Sequence, residues 1–179
     1  MYLTEQSFDE IAALLDELGQ PRYRARQVYA WLTRGVRPSD MTDLPKALRG
    51  RLQALPFGAV EIDRKRISAR DGTVKYLFAL EDGNLIEGVL MRYKYGNTAC
   101  LSTQVGCRMG CAFCASTLEG CVRSLHAGEM LGQIAAIERD EPAPEGRRTV
   151  TNVVLMGSGE PMDNLDNVLR FLRLVTSPD

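Results

Sequence analysis

Four of the five cysteines in the 179-residue chain lie within one short stretch, from Ala99 to Thr117. Three of them, Cys107, Cys111 and Cys114, have the spacing Cys-x-x-x-Cys-x-x-Cys. The glycines beside them allow the tight backbone that lets three thiolates converge on one cofactor. Three thiolates leave a 4Fe-4S cluster one ligand short, so the free iron can bind an outside donor and support chemistry.

Zinc is the alternative occupant of these thiols. Cys100, Cys121 or His126 would then supply the fourth ligand of a structural site. Cys121 is otherwise interpreted as a small buried or spectator thiol. The spacing alone leaves both occupants open.

Composition limits the class of protein. The chain is 45% hydrophobic and 25% charged, which is typical of an ordinary folded protein and not of a disordered one. Its apolar runs are too short to span a membrane, and its first residues lack the features of a signal peptide, so we expect a cytoplasmic protein without a membrane partner. Disulfide frameworks are rare in that reducing compartment, which favours metal or redox chemistry for the cysteines.

The net charge of −1 argues against a uniformly basic nucleic-acid coat. Basic residues nevertheless gather in three clusters, which without further information would be interpreted as solvated faces. These clusters are Arg22, Arg24 and Arg26; Lys46, Arg49 and Arg51; and Arg64, Lys65 and Arg66.

The first third of the chain has helical periodicity. Apolar residues between Phe8 and Leu18 recur at helical spacing and stop at Gly19. A second helix is predicted over residues 24–34, and a third segment, helical or mixed with turn, over 41–52. We expect a small helical domain over residues 1–53.

The period then changes to that of strands. Residues 74–80 and 85–91 alternate in polarity, and Asp-Gly turns at 71–72 and 82–83 separate the runs. A three-stranded antiparallel meander is predicted over 62–92, within an extension of residues 54–97.

Glu87 does not fit a simple pattern. It shares a strand face with Val89 and Met91, so burial of that face would leave its carboxylate in need of a partner or a role. The opposite face, with Ile86 and Leu90, is apolar too, so a solvent-facing Glu87 is equally compatible with the pattern.

Strand and helix alternate over residues 98–179. "NTACLSTQVG" is predicted as one strand and "TVTNVVLMG" as a continuous buried strand, and helices begin at His126 and within "NLDNVLRFLRLV". Two βα units indicate a parallel α/β fold whose ligands bind at strand ends.

Two motifs in order indicate the chemistry. Phe113 precedes the last clustered cysteine, and "GSGEP" at 157–161 ends the next predicted strand. This arrangement resembles the radical S-adenosylmethionine enzymes, in which the glycine-rich turn and its glutamate meet the methionyl amino group.

A closer resemblance covers essentially the whole chain. "YGNTACLSTQVGCRMGCAFCAST", "GEMLGQI" and "TNVVLMGSGEPMDNLDNV" resemble the RlmN family, which methylates carbon 2 of adenine in 23S rRNA and in certain tRNAs. "GQPRYRARQVYAWL" and "MTDLPKALRGRL" are similar to that family's N-terminal helical domain. The resemblance implies an α/β protein with a small helical domain, an antiparallel β extension and the first part of a radical S-adenosylmethionine partial (βα) barrel, truncated at the C-terminus.

The resemblance also implies roles for individual residues. Cys107, Cys111 and Cys114 match the ligands of the 4Fe-4S cluster, and Gly159 and Glu160 match contacts to S-adenosyl-L-methionine. Cys100 matches a cysteine that forms a transient disulfide, and Glu87 matches the catalytic proton acceptor. In the family, a methyl group carried on a C-terminal cysteine becomes a carbon radical that adds to adenine. The implied partners are 23S rRNA, tRNA and an electron donor such as flavodoxin, and the basic clusters near Arg24 and Arg49 become candidates for RNA contact.

The chain departs from the family in three places. Ser158 replaces a methionine common inside the glycine-rich turn, and Cys121 stands where a large apolar residue is expected. The chain also stops before the methyl-carrying cysteine, so we expect the 179-residue polypeptide alone to be inactive. Adenine carbon 8 methylation, a radical enzyme with another substrate, and a zinc-stabilised RNA-binding module remain alternatives.

Overall fold

The computed structural model describes residues 2–144 and 147–177. It has a mixed α/β fold with N-terminal helices and a five-stranded sheet. The α-helices are α1 (Phe8–Glu17), α2 (Tyr23–Leu32), α3 (Lys46–Gln53), α4 (Ala127–Asp140) and α5 (Leu165–Val175). The strands are β1 (Val60–Ile67), β2 (Val74–Leu80), β3 (Leu85–Tyr93), β4 (Gly96–Cys100), β5 (Gln104–Gly106), β6 (Cys121–Ser124) and β7 (Asn152–Val154).

The N-terminal helices pack around their own apolar cluster. A capping box starts α1, because the Ser7 side chain accepts from the Glu10 N–H and the Glu10 carboxylate accepts from the Ser7 N–H. Gly19, with φ of 67°, follows the end of α1. The predicted helical segments are confirmed, and a 3₁₀ turn over Pro38–Asp40 precedes the last of them. Leu3, Ile11, Leu15, Ala25, Val28, Leu32, Met41, Leu44, Leu48, Leu52, Phe57 and Ala59 form the cluster.

The sheet has the order β1-β2-β3-β4-β7. Strands β1 to β3 pair antiparallel, which confirms the predicted three-stranded meander. β4 continues the sheet, antiparallel to β3 and parallel to β7. Gly72 and Gly83 have φ of 69° and 83° in the two predicted Asp-Gly turns. The antiparallel strands and the first parallel pair therefore form one continuous sheet.

Two of the predicted strands are wrong in extent. The single strand predicted over 97–106 is divided, because β4 ends at Cys100 and β5 pairs with β6 in a separate hairpin. Between them the backbone N–H and C=O of Ser102 bond to the Gln133 amide of α4 at 3.0 Å each, which replaces the strand ladder. The buried strand predicted over 149–157 is the short, partly exposed β7, whose only strand partner in the described ranges is β4.

Polar contacts hold α4 against the sheet at both of its ends. Near its start, the Glu129 carboxylate, 5% exposed, receives two hydrogen bonds at 2.8 and 2.7 Å from Arg123 of β6, and the same guanidinium binds Asp82 in the β2–β3 turn of the sheet at 2.6 Å. Near its end, Asp140 accepts from the Tyr76 hydroxyl at 3.0 Å and from Lys65 at 2.7 Å. Burial and the Asp140 carboxylate raise the pKa of Tyr76, so the hydroxyl stays a donor. These contacts commit one sheet face to α4.

A second apolar cluster lies between the sheet and the helices α4 and α5, and includes Tyr76, Phe78, Leu90, Met130 and Phe171. The domain boundaries after residues 53 and 97 stay predictions. In the described ranges, none of the helices has the length and apolar character needed to cross a membrane.

We expect Glu129→Ala to lower the free energy of unfolding by about 3 kcal/mol, because it leaves Arg123 without its buried partner. Asp82→Ala is the matched control, since Asp82 binds the same guanidinium at 2.6 Å but is 40% exposed. The control should lose less than about 1 kcal/mol. Urea unfolding of both variants measures the difference, and equal losses would contradict the assignment of α4 anchoring to Glu129.

Candidate active site

The candidate site forms where the parallel strands β4 and β7 end. The segments that follow these strands lie side by side and exchange backbone hydrogen bonds. Gly157 N–H donates to Leu101 C=O at 3.0 Å, and the N–H groups of Thr103 and Gln104 donate to Ser158 C=O at 2.9 and 3.1 Å. The "GSGEP" turn is therefore fixed against the chain that leads into the cysteine loop.

Two glycines make this contact possible. A Cβ on Gly157 would lie 2.8 Å from the Leu101 carbonyl carbon and oxygen. A Cβ on Gly159 would lie 2.7 Å from Gln104 N, and its φ of +102° is one that side-chain-bearing residues rarely adopt. The close approach of two backbones leaves no room for side chains here.

Glu160 follows directly and has its backbone fixed. Its N–H donates to the Gln104 side-chain oxygen at 2.9 Å, and its own carboxylate accepts from Met162 N–H at 3.1 Å. The carboxylate thus caps the 3₁₀ turn Pro161–Asn164 while the residue stays partly exposed. Its contact with the amino group of S-adenosyl-L-methionine stays a prediction.

Sequence reasoning missed two polar residues that organise the site. Gln104, 1% exposed, binds Glu160 N–H and also donates to the Asp163 carboxylate at 3.0 Å. Asn164, 5% exposed, donates from its amide to the carbonyls of Thr103 and Leu125 at 2.9 and 2.8 Å. The sequence signal that could have identified both residues is an amide side chain within an otherwise apolar or small-residue segment, since a buried amide needs hydrogen-bond partners.

The cysteine loop begins at the end of β5. Cys107 is buried and its N–H donates to Gly120 C=O at 2.9 Å, whereas Cys111 is exposed. Cys114 is intermediate, and its N–H donates to Cys111 C=O at 3.0 Å. Gly106 and Gly110, with φ of 73° and 70°, supply the predicted tight turns.

The donor set fits an iron–sulfur cluster chemically, because three thiols share one loop beside the glycine-rich turn. All five cysteines are free thiols. Across 2–144 and 147–177, however, the structure gathers no group of three His, Cys, Asp or Glu side chains at metal-binding distance. The ligand assignment of Cys107, Cys111 and Cys114 therefore stays a prediction.

Side chains join the cysteine loop to the glycine-rich turn. Ser116 Oγ lies 3.2 Å from Ser158 Oγ, so a side chain of the glycine-rich turn contacts the loop. Arg108 forms an ion pair with Asp163, whose side chain is 12% exposed. Hydrogen bonds from Arg108 and Gln104 lower the pKa of Asp163, which keeps it ionised as a link between the two motifs.

Cys100 lies at the end of β4, opposite Val89 on β3. Burial raises the pKa of its thiol, and a hydrogen bond from Met156 N–H partly offsets this. Because Met156 precedes the glycine-rich turn, the Cys100 thiol lies directly beside that motif.

Glu87 lies on the same sheet face as Cys100. The structure resolves the two options left by the sequence, because Ile86 and Leu90 point into the core and Glu87 points outward. Its carboxylate pairs with Lys75 Nζ at 2.7 Å, and both side chains are about half exposed, at 53% and 54%. Glu87 thus faces an open groove and not the apolar core.

The alternative fourth zinc ligands lie in different surroundings. Cys121 is opposite Gly106 in the β5–β6 hairpin, and its pKa is raised first by burial and then by Asp163 and Cys107. The His126 ring packs against Tyr2 at a centroid distance of 4.5 Å. Cys121 is therefore the alternative ligand nearer to the cluster loop.

Comparisons with known proteins agree with this geometry. A family model described as the ribosomal RNA large subunit methyltransferase N-terminal domain (RlmN_N) matches residues 2–56. A crystal structure of a radical SAM methyltransferase from Sphaerobacter thermophilus is 42% identical and superposes with a TM-score of 0.86. The match covers 99% of this chain and 52% of that one.

Two curated relatives are named probable dual-specificity RNA methyltransferase RlmN. The protein from Thermoanaerobacter sp. (strain X514) is 47% identical over 98% of this chain and 51% of its own length. The protein from Alkaliphilus oremlandii (strain OhILAs) is 48% identical over 97% of this chain and 50% of its own length. The chain thus spans about half the length of the curated relatives it matches.

We expect Gly159→Ala to lower the free energy of unfolding by roughly 1–3 kcal/mol more than Gly120→Ala. Both glycines have positive φ, but a Cβ at Gly120 meets nothing within 4 Å, so the difference reports the contact with Gln104 together with the more strained φ of Gly159. Urea unfolding gives both values. Equal destabilisation would show that the two segments tolerate a wider separation.

Cys100 should react with iodoacetamide several-fold more slowly than the exposed Cys111 at neutral pH, because burial raises the pKa of the Cys100 thiol and the thiolate is the nucleophile. A raised pKa leaves less thiolate below it, so the Cys100 rate should keep climbing as the pH passes the usual thiol pKa of about 8.5. Peptide mass spectrometry of the cofactor-free chain follows both sites, with Cys100→Ser identifying its peptide. Faster modification of Cys100 than Cys111 would contradict the buried placement.

Proposed function

Because the chain belongs to the RlmN family, we propose that it supplies the cofactor-binding half of a radical S-adenosylmethionine methyltransferase. Its substrate would be carbon 2 of adenine in 23S rRNA and tRNA. The observation that carries the proposal is the contact between the cysteine loop and the glycine-rich turn, made by Ser116 with Ser158 and by Arg108 with Asp163.

Cofactor binding would follow from the two motifs. Cys107, Cys111 and Cys114 would hold the 4Fe-4S cluster, and the Gly159 backbone and Glu160 carboxylate would orient S-adenosyl-L-methionine. When bound, these groups supply the one-electron chemistry that an aromatic carbon without nucleophilic character requires. The Arg108–Asp163 ion pair would keep the two binding loops in register.

Glu87 would remove the proton from the adenine carbon after the new bond has formed. Its outward position on β3 leaves the carboxylate accessible to a base in the groove, and the ion pair with Lys75 would hold it oriented. A carboxylate buried in the core could not meet an RNA base.

Cys100 would resolve the covalent adduct between the substrate and the family's methyl-carrying cysteine. Its sulfur would bond to the carrier sulfur while the carrier's carbon–sulfur bond breaks and leaves its electron pair with the product carbon, which then takes up a proton. The carrier lies outside the half that this chain shares with its relatives, so we expect the 179-residue polypeptide alone not to complete methyl transfer.

RNA contact would involve basic residues of the helical domain. The structure divides them, because Arg24, Arg49 and Arg51 donate to backbone carbonyls within the domain, whereas Arg22 and Arg26 are exposed. Arg22 and Arg26 are therefore the better candidates for phosphate contact. The choice of adenine carbon 2 over carbon 8 depends on the family resemblance and not on a residue of this site.

Anaerobic iron–sulfur reconstitution tests the proposal. We expect about four irons and matching sulfide per chain, with a broad visible absorption, and loss of both in Cys107→Ala. Cys121→Ala is the matched control, because it removes a neighbouring thiol that is not among the three proposed ligands. Stoichiometric zinc without iron uptake would overturn the radical assignment and favour a zinc-stabilised RNA-binding module.

A further inference from the structure

The basic triplet at residues 64–66 is divided between two faces of the sheet. The register between β1 and β2 shifts between Ile62 and Arg64, which leaves Asp63 as the extra residue of a β-bulge. Ile62 lies opposite Phe78 on the core face, and without the bulge Arg64 would share that face. The bulge instead turns Arg64 outward, and bulges of this kind often re-aim side chains near active sites.

Lys65 points the other way. It lies opposite Tyr76, and its Nζ binds both Asp140 carboxylate oxygens at 2.7 and 2.8 Å at the end of α4. Neighbouring cations in the sequence therefore have different functions, since Lys65 ties the sheet to a helix. Arg64 and Arg66 are exposed, and neither forms an ion pair within the described ranges.

The outward cations form rows with the candidate catalytic residues. Along one row, Arg66 lies opposite Lys75, Lys75 opposite Val89, and Val89 opposite Cys100. Along the next row, Arg64 lies opposite Leu77, and Leu77 opposite Glu87. Two strand spacings, roughly 10 Å, separate Arg64 from Glu87.

A groove of about 220 Å³ follows these rows and is lined by Arg64, Lys65, Arg66, Lys75, Tyr76, Leu77 and Glu87. The polar ends of Lys65 and Tyr76 bind Asp140 of α4, so Arg64, Arg66, Lys75 and Glu87 supply the charged groups of the groove. Lys75 is paired with Glu87, so the two arginines carry the uncompensated positive charge. Guanidinium groups bind phosphate bidentately, so the two arginines beside Glu87 suit the phosphates of an RNA strand whose base lies at that carboxylate.

Building on the proposed function, we propose that Arg64 and Arg66 bind phosphates of the RNA strand that presents its adenine to Glu87. The β-bulge at Asp63 is the device that places them there. On this sheet face, residues of β1 would bind phosphate and Glu87 of β3 would remove the proton. These phosphate contacts do not depend on base sequence, and they would set the position of the RNA strand along the groove.

The test is the affinity of the full 179-residue chain for a short fluorescein-labelled single-stranded RNA, measured by fluorescence anisotropy over a salt series. We expect Arg64→Gln with Arg66→Gln to weaken binding roughly 10-fold and to make the slope of log K against log salt less steep by about 1.4, since two phosphate contacts are lost. Circular dichroism checks that the variant is folded.

Two matched variants make the result specific. Lys65→Gln removes the adjacent charge on the opposite face and should leave the RNA affinity and the salt slope unchanged. Arg64→Lys with Arg66→Lys keeps the charge and should keep most of the slope. An equal effect of Lys65→Gln would overturn the assignment to one sheet face.

The outcomes separate this inference from the function on which it depends. If the wild-type chain binds RNA with strong salt dependence and the double glutamine variant binds equally well, the phosphate assignment is wrong and the proposed function stands. If the wild-type chain shows no salt-dependent RNA binding, the proposal that this half of the enzyme binds RNA is wrong as well. If polyglutamate of matched charge displaces the RNA, the groove binds anions in general, and the proposal that it binds RNA phosphates specifically is wrong.

Discussion

The candidate site depends on the close approach of two backbone segments, residues 101–104 after β4 and 157–160 after β7. Their hydrogen bonds run through Ser158 C=O and Leu101 C=O, and they form because Gly157 and Gly159 have no side chains to separate the strands. This contact fixes Glu160 and brings the Cys100 thiol beside the glycine-rich turn. Ser116 and Arg108 of the cysteine loop then contact Ser158 and Asp163, so the position of the loop follows from the same approach of the two segments.

The rest of the fold decides which sheet face is available for chemistry. Contacts at both ends of α4 commit one face of the sheet to helix packing: Glu129 reaches Asp82 of the β2–β3 turn through Arg123, and Asp140 binds Tyr76 directly. The opposite face keeps Glu87 and the cations of β1 and β2 accessible, and it carries the partly buried Cys100. A polar groove can exist there because the fully buried side chains of β2 and β3, including Tyr76, Phe78 and Leu90, pack on the other side.

Much of the architecture could be predicted from the sequence. The α1 helix could be predicted from its apolar periodicity and from Gly19 at its end, and the two hairpin turns from the Asp-Gly pairs that contain Gly72 and Gly83. Each of these signals acts over a few neighbouring residues. The extents of β4 and β7 were not predictable in this way. β4 ends early because the Gln133 amide, far along the chain, takes over the backbone groups of Ser102, and β7 is partly exposed because it has β4 as its only neighbour in the described ranges.

The sequence by itself determined the chemical inventory: three thiols at cluster spacing, a glycine-rich turn with a glutamate, and a family with both in this order. The tertiary structure decided which groups meet and which face solvent. Glu87 lies on a strand whose two faces are both largely apolar, so only packing against α4 could select the outward one. Likewise, a single extra residue at Asp63 reverses the alternation of β1. It decides that Arg64 and Arg66 face outward and Lys65 faces α4, by a register that depends on pairing with β2 and not on any local pattern.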